Sequence, residues 1–164
     1  MLFRSARIAM IYEGANGIQA LDLVGRKLPK DGGRAMMGFL AEVNGFIKEN
    51  EADEALKANV APLKISVGHL QQATMWFMQN ALAKPDNAGA GSTDYLQLLG
   101  LVAFGHMWGL MAKAALAKKD EPAMQAKLIT SRFFAEKLLP ETAVRLARVT
   151  AGAESVMALP AEMF

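Results

Sequence analysis

Residues 56–81 read LKANVAPLKISVGHLQQATMWFMQNA. Leu56, Val60, Leu63, Val67, Leu70, Thr74, Phe77 and Ala81 follow one another at alternating steps of four and three. That spacing returns each side chain to one face of a helix and makes a seam for packing lengthwise against other helices. Pro62 falls inside the pattern. It lacks a backbone N–H, so it is predicted either to kink the helix or to mark its effective start, where a first-turn proline is tolerated.

Helical spacing continues on both sides. Upstream, Lys30-Asp31-Gly32-Gly33 is turn chemistry, followed by a helix over about Arg34 to Glu49 with Met36, Leu40, Val43 and Ile47 on one face. Downstream, Lys84-Pro85-Asp86-Asn87-Ala88-Gly89-Ala90-Gly91-Ser92 reads as the clearest loop, with Ser92, Thr93 or Asp94 able to cap the helix after it. Leu96 through Ala117 is apolar over about the ~20 residues a membrane span requires, but Gln97, His106 and Lys113 interrupt it. Gly105 and Gly109 form a small-xxx-small pair used for close helix approach in membranes and in soluble bundles alike. A helix apolar on nearly all sides is read here as the centre of a soluble core, with no membrane span.

Asp120-Glu121-Pro122 opens a further helix to about Leu139, with Leu128, Ile129, Phe133 and Leu138 as core candidates. Pro140 bends or restarts it, a shorter helix ends near Thr150, and Met157-Ala158-Leu159-Pro160 in the tail is expected to dock on the bundle. No segment reads as a strand. The fold class is all-α: an antiparallel bundle of four to six helices.

The composition, 52% hydrophobic and 21% charged over 164 residues, suffices for one core but not comfortably for two. A net charge of +2, with no basic run beyond Lys118-Lys119, gives no nucleic-acid partner. The chain has no cysteine and no signal peptide, which fits a reducing, cytoplasmic setting. His69 and His106 lack metal-ligand spacing and read as hydrogen-bonded core histidines, with no metal site expected. Trp76, Trp108, Met75, Met78, Met107 and Met111 fit bundle core better than an acyl pocket. Glu49-Asn50-Glu51 and Asp53-Glu54 read as solvated surface.

The most chemical stretch lies near the start: Ile11-Tyr12-Glu13-Gly14-Ala15-Asn16-Gly17-Ile18-Gln19-Ala20-Leu21-Asp22-Leu23-Val24-Gly25-Arg26-Lys27-Leu28. Gly14 and Gly17 permit a tight turn and a close ligand, and Asn16 fits the N-cap of a helix beginning near Gly17. Glu13, held on that turn, has the makings of a general base. A carboxylate beside a helix start is also commonly a solvated capping residue.

With Arg4-Ser5-Ala6-Arg7-Ile8 before it, this run closely resembles the segment that carries the catalytic base of the flavin-dependent acyl-CoA dehydrogenases. The pattern there is approximately R-D-A-R-I-x-x-I-Y-E-G-T-N-G-I-Q-A-x-D-L-x-G-R-K. Ser5 stands where the family usually has Asp, and Ala15 where it usually has Thr. The resemblance implies that Glu13 removes the α-proton of an acyl-CoA thioester while a hydride leaves the β-carbon for FAD. It implies also that a backbone N–H there polarises the thioester carbonyl, and that Gly14 and Gln19 lie at the cofactor. Ala15 cannot donate the flavin hydrogen bond of the family's Thr. That chemistry needs a positioned base, carbonyl polarisation and a cofactor as electron acceptor.

Past residue 30 the chain resembles the extra C-terminal helical domain of one bacterial branch of these dehydrogenases, which handles larger or unusual acyl-CoA substrates, methylthiopropanoyl-CoA among them. The stretches that carry this are Ala61-Pro62-Leu63, Arg132-Phe133-Phe134-Ala135-Glu136-Lys137-Leu138-Leu139-Pro140 and Glu154-Ser155-Val156-Met157-Ala158-Leu159-Pro160. The implied organisation is a remnant of the catalytic helical domain over residues 1–30 and a helical bundle domain over 31–164, the C-terminal piece of a longer dehydrogenase. An acyl-CoA substrate and an electron-transfer flavoprotein are implied for the parent enzyme, whereas the chain by itself is expected to hold no flavin and to be inactive. The exposed apolar groups of residues 1–30 point to a homodimer. The alternative is a non-catalytic helical interaction or oligomerisation domain that keeps the dehydrogenase segment as a relic.

Overall fold

A computed structural model describes residues 15–81 and 83–163. Helix α1 (Asn16–Asp22) runs into a π turn (Leu23–Lys27). There the Leu28 N–H donates to the Leu23 carbonyl, five residues back, at 2.8 Å. After a 3-10 turn (Lys30–Gly33) come α2 (Arg34–Asn50), α3 (Lys57–Asn80), α4 (Pro85–Leu116), α5 (Pro122–Lys137) and α6 (Glu141–Thr150). A last 3-10 turn spans Ala161–Met163, and the described residues contain no strand. The chain is therefore an all-α bundle, as its spacing predicts.

Helix α4 is the axis of the molecule, with α1, α3, α5 and α6 all packed on it, while α3 also meets α2, α5 and α6. The seam of α3 faces inward: Leu56, Val60, Leu63, Val67, Leu70, Thr74 and Phe77 are buried, meeting Tyr95, Leu98 and Val102 of α4 in one core. The predicted apolar face of α2, from Met36 through Ile47, is buried as well. Asp31, Gly32 and Gly33 take φ of 54°, 65° and 78°, a left-handed elbow that glycine tolerates and that separates the π turn from α2.

Helix α4 is the one described helix long and apolar enough to cross a membrane. Its glycines at 105 and 109 explain the alternative use of that apolarity. A Cβ on Gly105 would lie 2.9 Å from a Leu139 methyl, and one on Gly109 would lie 2.7 Å from the Phe46 ring. The pair seats neighbouring side chains of a bundle.

Several sequence readings are corrected. The predicted loop from Lys84 to Ser92 is mostly the first two turns of α4, which starts at Pro85 after an extended Lys84 (φ −138°, ψ 96°). A proline at the first helical position is pre-set for helix, and Gly91, which read as loop, is a packing seat: the Phe77 ring would lie 2.8 Å from a Cβ there, whereas Gly89 faces open space. Pro62 marks no start, since α3 begins at Lys57 and runs through it. Asn16 is the first residue of α1, and the preceding Ala15 makes no side-chain cap. In α5 it is Ser131 and Ala135 that are buried, whereas Ile129 and Phe133 are 71% and 56% exposed. The helix lies against α3 and α4 with Ser131 and Ala135 innermost, while Leu128 and Phe134 pack partly buried at its flanks. Pro140 restarts the chain as α6, which ends as predicted at Thr150, with Gly152 at φ 68° beyond it. In the tail, Val156, Met157 and Leu159 are all exposed, so the expected docking is not seen.

Candidate functional site

The described part of the dehydrogenase-like segment is α1 and its π turn. The Gln19 N–H donates to the Ala15 carbonyl at 2.8 Å, which places the two residues one turn apart on the same strip of helix. Ala15, Asn16, Gly17, Ile18 and Gln19 are exposed, while Ala20 is buried and anchors α1. Val24 and Leu28 extend that anchor into the core. Glu13 and Gly14 lie outside the described residues.

Asp22 closes the segment electrostatically, accepting from Arg26 at 2.5 Å and Lys27 at 3.2 Å. The Arg26 guanidinium, first, and then the Lys27 ammonium hold its carboxyl below the usual range, outweighing partial desolvation. Arg26 and Lys27 are thus paired within the segment itself.

For a flavin, the described residues offer the exposed amide of Gln19 and, at Ala15, a methyl group where a hydroxyl would donate. Gln19 lines neither of the two hollows described next. The hollows lie elsewhere. One, of about 350 Å³, is apolar and sits between the π turn and the α3–α4 junction, against Val24, Leu28, Phe77 and Met78. A second, of about 800 Å³, is bordered by Trp76, Asn80, Asn87 and the Gly152 turn. Asn87 ties its walls together, its Oδ1 accepting from the Ala153 N–H at 3.0 Å and its Nδ2 donating to the Asn80 carbonyl at 3.3 Å.

The two histidines divide. His69 is hydrogen-bonded as expected, its Nδ1 lying 2.9 Å from Thr142 Oγ1. The Thr142 proton goes to the Leu139 carbonyl at 2.7 Å, so His69 Nδ1 is the donor. His106 is buried with its ring edge-on to Phe46, and its Nδ1 has no partner, which corrects the hydrogen-bonded reading for that residue. Among the described residues no cluster of His, Asp or Glu could hold a metal. Sequence reasoning missed two buried polar links: Asn59 Nδ2 donates to Ser131 Oγ at 2.6 Å, and Ser66 stands 3.2 Å from Thr142. Ser66 and His69, three apart on a helix face, were the available signal; their partner Thr142 lies more than 70 residues away. Trp76, Trp108 and Met111 are half-buried, whereas Met75, Met78 and Met107 are exposed, so this set is mostly not core. Asn50, read as surface, is buried and donates to the Phe46 carbonyl at 2.6 Å.

The family model for the acetyl-CoA dehydrogenase C-terminal-like domain matches residues 39–160. This chain belongs to that family. The match takes in most of α2 and all of α3 through α6, and leaves out α1 and the π turn. Over 167 aligned residues the chain is 35% identical to the 3-methylmercaptopropionyl-CoA dehydrogenase of Ruegeria pomeroyi, covering 94% of this chain and 27% of that protein. It is 27% identical over 150 residues to the broad-specificity linear acyl-CoA dehydrogenase FadE5 of Mycobacterium tuberculosis, covering 84% of this chain and 24% of that one. The family member described here thus spans about a quarter of the length of the curated relatives it matches.

Proposed function

We propose that this chain is the C-terminal part of an FAD-dependent acyl-CoA dehydrogenase, in which Glu13 takes the α-proton of an acyl-CoA thioester and Gly14 and Gln19 lie at the cofactor. In this reading residues 1–30 belong to the catalytic helical domain, and residues 31–164 form the appended bundle. The observation that carries it is the extent of the likeness to the Ruegeria enzyme. A 94% coverage leaves about ten residues unmatched, so the run from Ile11 to Leu28 falls inside the aligned region.

The chain's own part in the reaction is that of base and positioner. Glu13, three residues before α1, would be carried by a helix that its own buried Ala20 and, in the π turn after it, Val24 fix to the core around α4. The exposed strip from Ala15 to Gln19 supports the reading because it is open to whatever completes the site. Alone, the chain has no acceptor for a hydride, and it is inactive. An electron-transfer flavoprotein as redox partner, a cytoplasmic setting and a homodimer complete the proposal. The second reading, a non-catalytic interaction domain, draws on Ala15, which removes a cofactor contact.

The test is a chimera in which this chain replaces the matching segment of the Ruegeria dehydrogenase, alongside the chain by itself. Titrated with FAD and followed by Trp76 and Trp108 fluorescence, the chain alone is expected not to bind. The chimera should bind flavin and bleach on adding acyl-CoA. Glu13→Gln should slow bleaching by at least about 10³-fold while flavin stays bound. Bleaching unchanged by Glu13→Gln would sink the catalytic reading, and a chimera that binds flavin but never bleaches would favour the interaction domain.

A further inference from the structure

The apolar hollow between the π turn and the α3–α4 junction, about 350 Å³, is lined without a single charged or polar side chain. Val24 and Leu28 border it on one side, Phe77, Met78, Ala81 and Ala88 on the other, and glycine and proline make up the rest. Nothing fills it from the turn or the elbow, since a Cβ on Gly25 or Gly32 would meet no atom within 4 Å. Gly25 and Pro29 also border a second hollow, of about 530 Å³, whose remaining lining is Arg26, Lys27 and Lys30. Asp22 already pairs with Arg26 and Lys27, whereas Lys30 has no ion pair among the described residues. From Asp22 to Arg34 four basic residues stand against two acidic ones. The turn between the two hollows is a π turn, a feature that concentrates at functional sites.

We propose that the two hollows together bind an unbranched aliphatic chain of about ten carbons ending in an anionic head, a carboxylate or a phosphate, with the chain in the apolar hollow and the head at Lys30. Size sets the chain length. A six-carbon ring occupies a dry cavity of about 150 Å³, so 350 Å³, less its open mouth, holds about ten carbons. Polarity selects the occupant: a polypeptide segment laid in this hollow would bury amide groups for which no lining side chain is a partner, whereas a polymethylene chain brings none. Charge selects the head, because the adjoining hollow presents three cations and no carboxylate. Ala15 and Gln19 line neither hollow, so the inference does not use the roles proposed for Glu13 and Gln19. A ligand seated there ties the π turn to α3 and α4.

Calorimetric titration of the full 164-residue chain at low salt with hexanoate, octanoate, decanoate and dodecanoate tests this. Each methylene up to about ten carbons should tighten binding about three- to fourfold, with no further gain beyond. Decanol should bind about fivefold more weakly than decanoate, and decyltrimethylammonium more weakly still. Decyl phosphate beside decanoate tells which head the cations prefer, and either preference supports the site. Ala88→Leu should shorten the best chain by about three carbons. Lys30→Glu should weaken decanoate about five- to tenfold and leave decanol unchanged; Lys30 is exposed, so this variant decides even where Ala88→Leu disturbs packing. Bound decanoate should also slow hydrogen exchange at the Leu28 amide, which closes the π turn. No saturable binding, or an affinity that ignores chain length, overturns the proposal. Decanol as tight as decanoate overturns the anionic head, and binding that ignores Ala88→Leu while leaving the Leu28 amide unprotected overturns the location. In the chimera the Ala88-dependent binding should persist; its loss there would show that another part of the dehydrogenase occupies the hollow. None of these results bears on Glu13, which the bleaching assay tests.

Discussion

Gly109 shows how much one missing methyl group decides. In a helix interior alanine is favoured over glycine by about 1 kcal/mol, so Gly→Ala stabilises wherever space is open. A Cβ on Gly38 in α2 would meet nothing within 4 Å, and Gly38→Ala should raise stability by about that amount. At Gly109 the new carbon would lie 2.7 Å from a Phe46 ring that is itself held edge-on against buried His106. Overpacking of about 1–3 kcal/mol wins there, and Gly109→Ala should lose about 1 kcal/mol net. Urea unfolding of the two variants, followed by circular dichroism, checks the opposed signs. Neither glycine's role is legible from its own position: the spacing of Gly105 and Gly109 announces close approach, but only the fold says that Phe46 and Leu139 are what approach. Gln19 is the opposite case, read from a motif and found exposed, while Glu13 and Gly14 lie outside the described residues.

Among elements, those with a strong periodic pattern are legible and those defined by their neighbours are not. The α3 seam and the α2 face need only their own sequence, because one buried stripe per helix is a local property. The start of α4 misleads because glycine, asparagine and aspartate have loop propensity in isolation, and the pull that overrides it comes from Phe77 on α3. Helix α5 misleads because its large apolar residues advertise a core, whereas small Ser131 and Ala135 hold its innermost positions and Ile129 and Phe133 face outward. Asn87 belongs to this scale, since it holds the ends of α3 and α4 and the turn after α6 in one place. Asn87→Ala should cost about 1–2 kcal/mol and leave the Ala153 amide exchanging faster with solvent, measurable by hydrogen exchange. Unchanged protection at Ala153 would show that the tail is held by other contacts.

In the molecule as a whole, α4 gathers the core, and Tyr95 sits at its centre with no exposure. Its hydroxyl lies 2.7 Å from Thr74 Oγ1, which itself donates to the Leu70 carbonyl at 2.8 Å, so Tyr95 is the donor of the pair. Burial pushes the phenol up to about 12 from an ordinary 10, against a smaller opposing effect of the Thr74 contact. A raised folded value means that the unfolded chain releases this proton first. Stability is intact below pH 10 and falls as pH rises toward 12, by roughly 1 kcal/mol at pH 11 and about 3 kcal/mol beyond 12. Tyr95→Phe should flatten that decline in urea unfolding at pH 8 and pH 11, and an equal loss in both proteins would count against it. The bundle class is legible because helix after helix repeats one pattern; which side of α4 is left exposed is not, because an exposed apolar stripe and a buried one have the same spelling. The π turn has its own consequence for how such chains can change over time. One residue of α-helix is a rotation of about 100°. Losing a single residue between Leu23 and Lys27 would therefore turn Gln19 away from the side it now presents, so that a change of length in this turn costs more than a substitution at its exposed Gly25.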